Sequence, residues 1–246
     1  MSSYLIIGSG RLASHFTHYF RLLNLQFKTW SRQTGTPSEL QELAKDSTHI
    51  LLLIRDDAIE GFVRENPFLT SGPARLVHCS GALNFPFAES AHPLNTFGET
   101  LYDLETYLRT PFVLETGRAP LNDILPGLPN PHYSIPSEKK ALYHALCVAS
   151  GNFTTLLWQN AFSSFEKDLQ LPREVLAPFL AQVASNLVTE SAPLTGPIAR
   201  GDRSTIIRNL DALRSRPDQN LYYAFLNFVL EKNHKLGDLH YERLSV

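Results

Sequence analysis

Residues 4–16 read YLIIGSGRLASHF. Four apolar residues run into Gly8-Ser9-Gly10. The stretch that follows repeats Leu12, Phe16, Tyr19, Phe20 and Leu23 at helical spacing. This reads as a strand, a tight turn and a helix. Further short apolar runs lie at 26–30, 50–54, 76–78, 112–114 and 132–135. The run ILLLI at 50–54 is apolar throughout, as a parallel strand covered on both faces must be. Strands alternating with helical patterns over residues 1–136 predict βαβ units and a parallel sheet.

From Ser137 the style changes. The stretch 138–165 reads as one long helix, apolar around most of its circumference, which predicts burial. Further helices are expected at 172–189, 204–214 and 221–231, with Asp202 as the N-cap of the second. The proline-rich stretch 126–136 reads as the connector. The expected domains are therefore 1–136, an α/β Rossmann-like parallel sheet domain, and 137–246, an all-α helical domain.

Composition excludes several classes. Lys plus Arg number 22 against 24 Asp plus Glu, a net charge of −2, so nucleic-acid binding through a large basic excess is not expected. Cys79 and Cys147 make no disulfide framework, and no Cys/His spacing suggests zinc or another metal. The N-terminus lacks the pattern of a signal peptide, and no apolar run approaches the roughly 20 residues of a spanning helix. A reducing, cytoplasmic location without a membrane partner is the expectation.

Gly8-Ser9-Gly10-Arg11-Leu12-Ala13 fits G-x-G-x-x-G/A, placed between a strand and a helix as dinucleotide binding requires. Gly8 makes the turn, Gly10 lets the backbone approach a pyrophosphate, and Ala13 keeps helix and strand close. The alternative is a plain strand–turn–helix bend. The second strand decides which dinucleotide is expected. It ends Trp30-Ser31-Arg32, without the acid that NAD readers place there, so Ser31 and Arg32 are expected to receive the 2′-phosphate of NADP. Ligands bind outside the carboxyl ends of parallel strands. That adds Arg55, Asp56, Ser80 and Gly81 to the expected cofactor contacts. The alternative for Asp56 or Asp57 is to cap the next helix. Cys79 reads as a small buried residue rather than a nucleophile.

On the long helix, Lys140 and His144 lie four apart, and Asn152 follows about 80° further round. Polar groups on a buried helix must meet polar partners. One reading is a substrate; the other is hydrogen bonding between helices, with Lys140 solvated. His92, in the loop before the fifth strand, either faces the nicotinamide or is structural. Thr195 and Arg200 lie in LTGPIARGD, residues 194–202, where Arg200 either clamps a substrate anion or belongs to a chain turn.

The stretches GSGRLA, SR, AHPLNTF, KALYHALCVASGN and LTGPIARGD occur in this order. In this the chain resembles the family of NADP-dependent oxidoreductases that join a Rossmann-like half to a helical half of unknown function. Two motifs carry the resemblance most specifically: Lys-x-x-Tyr-His-x7-Asn on Lys140, Tyr143, His144 and Asn152, and Thr-Gly-Pro-x-x-Arg-Gly-Asp on Thr195–Asp202. More remotely the layout is similar to ketopantoate reductase, pyrroline-5-carboxylate reductase and 6-phosphogluconate dehydrogenase. The resemblance implies a site between the two domains. The apolar helix 138–165 has more surface to bury than the short helices after it can cover, which predicts a homodimer formed mainly by residues after Ser137, as the resemblance also implies.

The expected function is hydride transfer between NADP(H) and a small carbonyl, imine or alcohol. Lys140 or His144 is expected as proton donor, Asn152 as orienting residue, and His92, Thr195 and Arg200 as substrate contacts. The rival is a non-catalytic NADP(H) sensor or scaffold that dimerises through its helices. It needs no proton donor in its cleft.

Overall fold

A computed structural model describes residues 2–232. The chain divides into two compact units, residues 1–160 and 161–246. The change in sequence style at 136/137 thus precedes the structural division.

The first unit begins β1 (Ser3–Ile7), α1 (Arg11–Leu22), β2 (Gln26–Trp30), α2 (Pro37–Lys45), β3 (His49–Leu52), α3 (Asp56–Glu65), α4 (Phe68–Ser71) and β4 (Arg75–His78). It continues β5 (Glu89–Pro93), α5 (Leu104–Arg109), β6 (Phe112–Glu115), α6 (Leu121–Ile124), β7 (His132–Ile135) and α7 (Lys140–Cys147). The seven strands form one sheet, ordered β2-β1-β3-β4-β5-β6-β7. All neighbours are parallel except β5 and β6. This is a Rossmann-like sheet followed by a helical region.

Side chains that alternate along the strands fill two cores. Tyr4 and Ile6 of β1 pack on one face with Phe16 and Phe20 of α1. Leu5 and Ile7 pack on the other with Leu40, Ile59 and Phe62 of α2 and α3. Burial on both faces is why β1 and β3 read as unbroken apolar runs.

Two sequence expectations need correction. His92 is not in a loop: it lies on β5, whose sequence ESAHP lacks apolar alternation and ends in proline. Its pairing with β4 and β6 makes it a strand. The long helix exists but is neither uniform nor buried. A 3₁₀ turn (Ser137–Lys139) leads into α7, a π-helical turn (Val148–Asn152) follows, and α8 (Phe153–Lys167) continues across the division between units. Leu142, Leu146, Phe153 and Leu156 are 57–60% exposed. Among the described residues, the apolar surface that predicted burial stays exposed.

The second unit contains a 3₁₀ turn (Arg173–Leu176) and helices α9 (Ala177–Thr189), α10 (Gly196–Arg200), α11 (Arg203–Ala212) and α12 (Pro217–Lys232). Ile206, Leu210 and Leu226 form its small core. Asp202 caps α11, accepting from the Thr205 backbone N–H at 3.1 Å. Gly201 closes α10 in the left-handed region at φ +67°, where glycine is favoured.

Candidate functional site

The turn after β1 separates its two glycines by physical role. Gly8 sits at φ +137°, and a Cβ there would lie 2.2 Å from the Leu53 carbonyl oxygen. The fold itself demands glycine at this position. Gly10 is different. It is the N-cap of α1 in ordinary extended conformation, and nothing lies within 4 Å of where its Cβ would be. Among the described residues no side chain caps α1, so its first N–H groups stand open for an anion. Ala13 is buried against the core with Leu12 beside it, while Ser9 and Arg11 are exposed.

The other expected cofactor residues stand at the carboxyl ends of neighbouring strands. After β2, the Ser31 hydroxyl lies 2.9 Å from that of Thr34, and Arg32 is exposed without an ion pair among the described residues. After β3, Arg55 forks onto Asp57, with Nε–Oδ1 at 3.0 Å and Nη2–Oδ2 at 2.5 Å. Neither Asp56 nor Asp57 caps α3 through its side chain; both lie inside its first turn. Asp56 instead accepts the hydroxyl of Ser80, after β4, at 2.5 Å. Ser80 is buried, and its oxygen also accepts from the Leu83 N–H at 3.0 Å. Cys79 is buried, and burial raises its thiol pKa. A buried thiol held in its protonated form is a poor nucleophile.

Gly81 brings two histidines together. A Cβ on it would lie 3.0 Å from His92 Nε2 and 2.7 Å from His144 Cδ2. The two rings are 6.1 Å apart and edge-on. Both line a cleft of about 730 Å³ that also reaches Arg11, Asn95, Asn152 and Thr155. Every lining residue belongs to the first unit. Burial, reinforced by His144 and Lys140, lowers His92 to a pKa of about 4.

Lys140 takes neither course expected of it. It is neither solvated nor open to this cleft, being only 3% exposed. Its Nζ donates to Ser90 Oγ at 2.5 Å and to Glu115 Oε1 at 3.0 Å. Burial lowers its pKa, and Glu115 opposes that shift. Of the proposed donor pair, His144 alone lines the cleft, with Asn152.

Thr195 and Arg200 belong to the second unit and are exposed. Thr195 is the N-cap of α10 without a side-chain capping bond, and Arg200 is its last residue. The stretch expected to form a turn therefore contains a short helix.

Sequence reasoning missed Glu115 and Ser90 as partners of Lys140. The signal available was a lone acid closing the apolar strand FVLE. It also left Tyr143 without a role, although its hydroxyl lies 2.7 Å from His92 Nδ1.

A family model described as "Domain of unknown function (DUF2520)" matches residues 112–227. Similar solved structures include BF3122 of Bacteroides fragilis, provisionally named an NADP oxidoreductase. It is 21% identical, with a TM-score of 0.74, over 94% of this chain and 98% of that one. Protein TM1727 of Thermotoga maritima is 23% identical, with a TM-score of 0.64, over 94% and 98%. Plasmodium falciparum pyrroline carboxylate reductase, solved with NADP bound, is 13% identical, with a TM-score of 0.58, over 97% and 100%. These likenesses agree with the resemblance carried by the sequence motifs and show the fold. No curated protein sequence matches the chain. Among the described residues, no helix is long and apolar enough to cross a membrane.

Proposed function

We propose that this chain is an NADP(H)-dependent oxidoreductase acting on a small carbonyl, imine or alcohol, and that it works as a cytoplasmic homodimer. The observation that carries the reading is the turn at Gly8–Ala13. Gly8 is required by packing, but Gly10 is bare where packing leaves open space. The turn opens toward the N-terminus of α1, which suits a pyrophosphate. The solved neighbour with NADP bound supports the same reading.

In this reading, the N–H groups of Ser9–Leu12 bind the pyrophosphate, and Ser31 and Arg32 bind the 2′-phosphate. Asp56, held by Ser80, accepts from ribose hydroxyls, with Arg55 beside it. Gly81 forms bare floor at the nicotinamide end. When bound, the nicotinamide supplies or accepts hydride. His144 holds the proton exchanged with the substrate oxygen or nitrogen, and Asn152 orients that atom. Lys140 is a positioning residue that ties α7 to β5 and β6 through Ser90 and Glu115. Thr195 and Arg200 remain proposed contacts for an anionic group of the substrate. The exposed Leu142, Leu146, Phe179 and Leu187 supply apolar surface for a second copy.

The sensor alternative needs no proton donor in the cleft, so His144 beside open space favours the enzyme. Calorimetry with NADPH and NADH tests the cofactor. NADPH oxidation with small 2-oxo acids, aldehydes and cyclic imines then tests the reaction. Absence of binding to either cofactor refutes the proposal.

A further inference from the structure

Tyr143 of α7 has no role in the reaction as so far described, and it pairs with His92 of β5, an expected substrate contact. The Tyr143 hydroxyl lies 2.7 Å from His92 Nδ1, and the rings meet at 83° with centroids 5.4 Å apart. The other ring nitrogen, Nε2, has no hydrogen-bond partner among the described residues. It lies beside Gly81, where a methyl group would crowd it at 3.0 Å. His92 lines the cleft, as does His144.

A neutral imidazole has one N–H and one lone pair, and the partner of one nitrogen fixes the role of the other. Burial raises the Tyr143 hydroxyl above the usual phenol range, and a charge effect and a hydrogen bond from Cys147, one turn away, add to the shift. Two acceptors thus compete for the one phenolic proton, and the imidazole lone pair is a stronger acceptor than the thiol sulfur. His144 and Lys140, both on α7, are the charged or titratable groups that bear most on His92. Both act with burial to keep its ring neutral.

We propose that Tyr143 is a positioning residue that holds His92 as its Nε2–H tautomer, so that His92 presents a single neutral donor beside Gly81 to the carbonyl oxygen of a substrate. The substrate assignment rests on the oxidoreductase reading; the tautomer does not. A carbonyl oxygen accepts from such a donor. A protonated imine would set one N–H against another, which costs binding. Among the substrates of the proposed reaction, this tautomer therefore favours a carbonyl over an imine that arrives already protonated. His92 polarises the bond and does not transfer its proton, leaving that step to His144.

The test is nitrogen-15 spectroscopy of the full chain labelled at histidine, with His92 assigned through His92→Gln. The expected spectrum has His92 protonated at Nε2, with a lone pair at Nδ1, from pH 8 down to 5. In Tyr143→Phe, His92 should exchange between tautomers and protonate at higher pH. Protonation at Nδ1 in the native chain, a native midpoint near 6.5, or an unchanged tautomer in Tyr143→Phe overturns the proposal. If Tyr143→Phe does not fold, the native spectrum decides alone. Pyruvate added to the NADP⁺-loaded protein as a carbonyl probe should shift the Nε2 signal, and protonated pyrrolidine should not. The reverse overturns the carbonyl assignment. Failure to bind NADP(H) in calorimetry overturns the oxidoreductase reading instead, so the two failures are distinguishable.

Discussion

Replacing each fingerprint glycine by alanine should separate folding from binding. At Gly8 the backbone stands at φ +137°, and the new methyl would lie 2.2 Å from the Leu53 carbonyl oxygen. Backbone strain of about 1–3 kcal/mol and a forced shift of about 1–3 kcal/mol give a loss of roughly 2–6 kcal/mol. For a chain of this size that corresponds to a fall in Tm on the order of 10 °C. At Gly10 the backbone is ordinary, with φ −78° and ψ 179°, and the methyl meets nothing. Restricting the unfolded chain contributes about 0.4–1 kcal/mol, against a poorer N-cap costing up to about 1 kcal/mol. Stability should therefore be nearly unchanged. The methyl nevertheless fills the space proposed for the pyrophosphate. Losing one charge-assisted hydrogen bond there, at about 1.5–3 kcal/mol, weakens NADPH roughly ten- to a hundredfold. Thermal unfolding and calorimetry on both variants measure the two effects. Native NADPH affinity in Gly10→Ala would refute the dinucleotide reading of the turn, and an unaltered Tm in Gly8→Ala would refute the packing argument.

Arg32→Ala should weaken NADPH roughly tenfold or more and NADH little, as read by calorimetry; equal losses would remove the 2′-phosphate assignment. Lys140→Met should destabilise by about 3–5 kcal/mol because it leaves Glu115 charged and buried. Adding Glu115→Leu should restore much of that in urea unfolding, and a double variant no better than the single one refutes the pairing. Burial lowers His78 to a pKa of about 3 from an ordinary 6.5, so below pH 6.5 the unfolded chain takes up a proton that the folded one refuses. Its contribution is complete above pH 6.5 and is lost as pH falls toward 3, about 2 kcal/mol of it by pH 5. The urea midpoint of His78→Leu should depend less steeply on pH across that window. Light scattering at micromolar concentration should show a dimer that Leu146→Glu or Leu187→Glu weakens, and a monomeric native chain refutes the assembly.

The β1–α1 unit was legible because its signals are local: an apolar run, two glycines and a helical stripe. The strands at 50–54, 76–78 and 112–114 were legible for the same reason. β5 was not, because Glu89, His92 and Pro93 become a strand only through pairing with distant β4 and β6. That pairing also carries His92 toward His144, a juxtaposition no spacing rule supplies. Lys140 was conspicuous on its apolar helix, but its partners lie on β5 and β6, 50 and 25 residues away in sequence. The apolar circumference of the long helix says that its surface calls for a partner, and Leu142, Leu146, Phe153 and Leu156 stay exposed in the single chain.

The π-helical turn at Val148–Asn152 makes the helix a two-phase object. A wide turn of this kind amounts to one surplus residue in an α-helical rod, and each residue advances the winding by about 100°. His144 precedes the surplus and Asn152 closes it, yet both reach one cleft. With the surplus absorbed, the path from His144 to Asn152 winds by about 700° rather than about 800°, so the amide falls within about 20° of the histidine's face instead of about 80° round from it. Excising a single residue such as Ala149 would let the winding run true and keep that alignment. The relative aim of donor and orienting amide is therefore set by a count of residues, and one more residue forced into regular α-helical winding would turn the two apart.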